Sequence, residues 1–85
     1  MQIICPKCGE PWDIDYIHDR VNELTSQGQR VDYMMIWHRF IERGCSAFGV
    51  ECNPQGKRAE GVALVYELLG DDVDGAAAMI EDMGL

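Results

Sequence analysis

The sequence has no long apolar run, and only seven lysines and arginines stand against 15 aspartates and glutamates. Without about 18 consecutive apolar residues, no membrane-crossing helix is expected. At a formal charge of −8 the chain as a whole repels a phosphate backbone and favours basic protein surfaces. There is no glycine-rich phosphate loop, no Ser-His-Asp pattern and no group of carboxylates gathered round a base. An enzyme is therefore not expected. Internal repeats, low-complexity tracts and linkers are also missing, which leaves a single zinc-binding domain over residues 1–85 as the expectation. Disorder is excluded from the other side, because 47% of residues are hydrophobic. A chain of this length is near the size at which a hydrophobic core alone becomes marginal, and a staple is expected.

What is there is a set of four cysteines. Cys5-Pro6-Lys7-Cys8-Gly9 is a Cys-x-x-Cys-Gly turn, in which the glycine adopts positive φ without steric cost and the backbone doubles back on the two sulfurs. Pro6 stiffens that turn. Cys45 and Cys52 complete a tetrahedral all-thiolate set, and the chain has no other cysteine. The expected metal ligands are thus Cys5, Cys8, Cys45 and Cys52, around one structural Zn²⁺. Iron suits the same tetrahedral thiolate set equally well. The spacing departs from the usual ribbon, whose two knuckles lie about 15–20 residues apart. Here six residues separate Cys45 from Cys52, and 36 separate Cys8 from Cys45. That insert is long enough for two helices. A redox dithiol at Cys5 and Cys8 lacks the surrounding strand–helix alternation. A disulfide framework needs an oxidising compartment, whereas Met1-Gln2-Ile3-Ile4 enters the turn with no export signal, so a cytosolic protein is expected.

Taken in order, a short β segment over residues 1–4 leads into the knuckle, and Trp12 is placed to plug the core beside it. Asp13 is expected to cap a helix to Ser26, with Ile14, Ile17, Val21 and Leu24 on one face and His18 partly buried at its edge. Asp32 caps a second helix to Arg43, whose stripe of Tyr33, Ile36, Trp37, Phe40 and Ile41 is the strongest periodic signal in the chain. Met34 and Met35 broaden that stripe as core filling, and His38 reads as a surface residue. Gly44 delivers Cys45 to the metal. Asn53-Pro54 caps a third helix, about Arg58–Leu69, that turns Val62, Val65, Tyr66 and Leu69 inwards. Asp71 or Asp72 starts a fourth, with Val73, Ala76, Ala77, Ile80 and Met83 on its apolar side. Asp71-Asp72-Val73-Asp74-Gly75 has the look of a calcium loop. Its twelfth position, however, is Asp82 rather than a bidentate glutamate. The expected fold class is small, mostly α and metal-stapled: a four-cysteine zinc-ribbon-like knuckle split by a helical hairpin and followed by two helices.

Three segments together resemble the small zinc-ribbon-type proteins of actinobacteriophages, the mycobacteriophage-like set. They are Cys5-Pro6-Lys7-Cys8-Gly9-Glu10-Pro11-Trp12-Asp13, then Gly44-Cys45 with Phe48-Gly49 and Cys52-Asn53, then the run from Leu68 to Met79. The resemblance implies a phage origin and action in the cytoplasm of an actinobacterial host. It brings no catalytic residue and no ligand. Four thiolates closed on a zinc ion would take the charge to about −10 and leave no coordination position for substrate. The expected function is a non-enzymatic, zinc-stabilised acidic module that binds a host or phage protein with a basic surface. The alternative is a nucleic-acid-binding zinc ribbon using Lys7, Arg20, Arg30, Arg39, Arg43, Lys57 and Arg58 as a local patch. Whether Trp37, Tyr66 and the methionines fill a core or a dimer interface is not legible in the sequence.

Overall fold

The computed structural model of the protein describes residues 2–53 and 57–84, without the side chains of residues 57–59. Two three-residue strands, β1 (Gln2–Ile4) and β2 (Pro11–Asp13), pair antiparallel with Ile3 opposite Trp12. They flank the first cysteine turn. Helices α1 (Asp15–Ser26) and α2 (Tyr33–Arg43) follow and pack against each other. A 3-10 turn over Gly44–Phe48 continues directly from α2, and α3 (Lys57–Leu69) and α4 (Val73–Asp82) close the fold. The expected mostly helical fold with two helices between the cysteine pairs is what forms. β2 is an addition, because a Pro-Trp-Asp strand has no alternation to betray it.

Local chemistry accounts for most of the helix boundaries. The Asp32 carboxylate accepts from Met35 N at 2.9 Å, and Asp72 accepts from Gly75 N at 2.9 Å, so α2 and α4 begin where side-chain caps satisfy free N–H groups. Asp72 is thereby committed as a cap. Asp13 behaves differently from expectation: it ends β2 and takes its bond from Asp15 N at 2.9 Å, and Ile14 occupies the cap position of α1 without a side-chain bond. Of the expected Asn53-Pro54 start of α3, Asn53 lies outside the helix and Pro54 lies outside the described residues.

One apolar core joins these elements. From α2 it takes Ile36, Trp37 and Phe40, from α1 Ile17 and Leu24, and from α3 Val62, Val65 and Tyr66. Val73, Ala76, Ala77 and Ile80 of α4 pack against α3 and β1, the alanines allowing close approach. Trp37 donates its indole N–H to Gly70 O at 2.5 Å, tying α2 to the α3–α4 turn. Tyr66 ties α3 to the hairpin. Cys5 N bonds Glu10 O at 2.9 Å, so by antiparallel alternation the N–H and C=O of Ile4 point away from β2. The Tyr66 hydroxyl meets both, donating to Ile4 O at 2.6 Å and accepting from Ile4 N at 3.0 Å. A sheet edge is thus sealed inside the core by a side chain.

Three expectations are corrected. His18 is exposed and its ring lies tilted against Tyr33 at 4.7 Å between ring centres. Met83 lies one residue past α4 and is 53% exposed. Met34 is half-buried as expected, whereas Met35 turns outwards. His38 is on the surface as expected, 3.0 Å from Asp71.

Candidate metal centre

The knuckle is built by the hairpin. Gly9 N returns to Cys5 O at 2.9 Å, closing the turn, and Lys7 N points at Cys5 Sγ at 3.3 Å. On the other side, α2 runs out at Gly44, whose φ of 70° swings the chain into the 3-10 turn that carries Cys45. Cys45 N then points at Cys52 Sγ at 3.3 Å.

All four sulfurs lie within 4.8 Å of one another. Cys8 and Cys45 are 3.4 Å apart, and Cys5 and Cys52 are 3.6 Å apart, far beyond the ~2.05 Å of a disulfide. Four sulfurs at about 2.3 Å from a central zinc would stand about 3.8 Å apart at tetrahedral angles, inside the observed range. Cys5, Cys8 and Cys45 are buried, and Cys52 is at the rim. A metal ion therefore fits the donor set, and the cradle is shaped for large sulfur atoms. A Cβ added at Gly44 would sit 2.5 Å from Cys5 Sγ and 2.9 Å from Cys52 Sγ. Neither residue nor metal set has room for a side chain there.

The electrostatics of the cluster are uneven. Burial pushes the Cys5 and Cys45 thiols up, with hydrogen bonds from the Lys7 backbone and the Trp12 indole opposing it respectively. At Cys8 burial also pushes upwards, but backbone hydrogen bonds at Glu10 and Asn53, together with the neighbouring cysteines, bring the thiol below its usual value. A bound divalent cation settles all four as thiolates, because a coordinating thiol is deprotonated.

Trp12 does more than plug the core. Its indole N–H donates to Cys45 Sγ at 3.3 Å, and its ring meets Phe48 at 4.7 Å and Tyr16 at 5.2 Å. Phe48 in turn contacts buried Phe40 at 5.3 Å. The sequence signal for this was a tryptophan four residues after Cys8; the aromatic partners were not legible. Neither His18 nor His38 belongs to the sulfur cluster. Among the described residues, no helix is long and apolar enough to cross a membrane. No family model, curated protein or solved structure matches the chain. The sulfur cluster, rather than kinship, is what guides a functional reading.

Proposed function

We propose that the protein is a non-enzymatic interaction module, stapled by one structural zinc ion, that binds a protein partner through an acidic surface. The observation that carries this reading is the four-sulfur cluster with three of its members buried. Four thiolates fill a tetrahedral coordination sphere, so the zinc cross-links the chain and offers substrate no position. Such a staple suits a small domain whose surface is then free for recognition. The excess of 15 acidic over seven basic residues selects a partner with basic surface, such as a nucleic-acid-handling protein of the replication or transcription machinery. The motif resemblance supports a phage-encoded protein working on host or phage targets in the cytoplasm of an actinobacterial cell.

The test is co-purification of the full zinc-loaded chain from actinobacterial lysate, with and without nuclease, at low and high salt. One protein recovered in stoichiometric amount and released by salt is the expected result. Nucleic acid recovered in place of a protein would transfer the role to the nucleic-acid-binding alternative.

A further inference from the structure

We propose that the aromatic ridge beside the four cysteines is the docking site, and that its occupant is a basic peptide segment inserting one apolar side chain. This rests on the protein-interaction reading above and specifies where the partner sits and what it presents.

The ridge is formed by Trp12, Tyr16 and Phe48, with Val50 alongside. Tyr16 and Val50 are each 48% exposed, so apolar surface is open to a partner along the ridge. Two grooves meet here, because Trp12 and Val50 line both. One, of about 270 Å³, runs past Cys8 and Cys45; the other, of about 320 Å³, runs along α1 past Tyr16. Together they give an extended segment a path across the ridge, with the Trp12–Val50 saddle as a seat for a side chain.

The ridge is also held in place beforehand. Phe48 rests on buried Phe40, and Trp12 is fixed by its bond to Cys45 Sγ. Aromatic side chains ordered in advance lose little entropy on binding, which is why tryptophan and tyrosine dominate interface energetics.

Charge chooses the occupant. Glu10 and Glu51 line the first groove, and Asp19 and Glu23 the second. Arg20 is the one base in either groove, and it is already engaged: Nε donates to Ala47 O at 3.2 Å and the guanidinium pairs with Glu23 at 2.9 Å. Among the described residues, no ion pair engages Glu10, Asp19 or Glu51. A second copy of this chain would set carboxylates against carboxylates, and a nucleic acid would set phosphates against them. A lysine- or arginine-rich peptide meets the rim favourably while its apolar residue fills the saddle.

The experiment titrates fluorescein-labelled lysine-rich peptides, each with one leucine, phenylalanine or tryptophan, into the full zinc-loaded chain. Tyr16→Ala, Val50→Ser and the charge reversals Asp19→Lys and Glu51→Lys should each weaken binding by about tenfold or more. All four positions are exposed, and thermal melting verifies that each variant is folded. Leu64→Ser and Leu68→Ser, at the 60% and 74% exposed leucines of α3, should leave binding unchanged. Loss of binding in the α3 variants but not the groove variants overturns this site while leaving the interaction reading intact. Equal binding of an anchor-free lysine peptide overturns the apolar seat. Failure of every peptide to bind also overturns the inference, and co-purification then judges the interaction reading separately. Oligothymidylate bound as tightly as the peptides would sink both.

Discussion

The two ends of the chain hold themselves together by different means. From β1 to the 3-10 turn, shape depends on sulfur geometry: two N–H groups and an indole point at cysteines, and Gly44 gives way to two sulfur atoms. In α3 and α4 order comes from apolar packing, with Val62, Val65, Ala76, Ala77 and Ile80 buried and Asp72 as cap. The first region also buries Ile17, Leu24, Ile36, Trp37 and Phe40, so it has core as well as a specific centre, while the second has core but no specific centre. Tyr66 and Trp37 join them, each through a hydrogen bond to backbone of the opposite region. A staple and a core are therefore complementary solutions to one shortage of buried surface, and neither region is expected to stand without the other.

The sharpest way to break this balance is Cys8→Ser. Binding energy of a structural zinc, roughly 10–16 kcal/mol in small zinc domains, is folding energy, so removing one ligand should unfold the chain at ordinary temperature. Circular dichroism with metal analysis should show helix and zinc lost together. Retention of the α3–α4 helical signal would show instead that the second region is autonomous.

Next in size, Gly44→Ala should expel the metal, since both the positive φ and the adjacent sulfurs oppose a Cβ. Gly28→Ala shares a positive φ but meets nothing within 4 Å, and should cost only about 1–2 kcal/mol with zinc content unchanged. Comparing the two by chelator competition separates backbone strain from damage to the centre.

Tyr66→Phe tests the joint. It leaves both polar groups of Ile4 without their hydroxyl partner in a buried position, at a cost of about 2–4 kcal/mol in denaturant unfolding while zinc remains bound. The same hydroxyl gives a pH signature. Burial holds the Tyr66 phenol well above its ordinary value near 10, so the unfolded chain ionises first. Stability contributed by Tyr66 is complete below about pH 10 and is lost as pH rises above it. The phenylalanine variant should show a shallower alkaline decline, Tyr33 accounting for part of what remains because burial and the Asp74 and Asp15 carboxylates raise it too. The smallest effect is expected at His38→Ala. The pair with Asp71 is exposed on both sides, and thermal melting should move by the equivalent of less than about 1 kcal/mol.

Much of the first region was legible because its residues are chemically rare. Four cysteines with a Cys-x-x-Cys-Gly turn come together as the spacing implies, and the Asp32 and Asp72 caps need only the residues around them. The stripe of α2 is legible because it repeats over three turns. What failed depended on partners distant in sequence. β2 exists because Ile4 and Pro11 meet across the knuckle. His18 lies about 100° round α1 from Ile17, past the edge of the face that Ile17 and Leu24 bury, and meets Tyr33 of the neighbouring helix. Zinc-ribbon character and phage origin are proposals that rest on motif resemblance.

The loop between α1 and α2 divides the ligands evenly: Cys5 and Cys8 precede Gly28, and Cys45 and Cys52 follow it. With zinc in place, the covalent link through this loop is thus one of two paths between the halves. A chain nicked there should migrate as a single particle on gel filtration and fall into two peptides when a chelator is added. The metal would then be acting as a splice, making the two halves separable genetic parts that can be expressed apart and reunited by one ion.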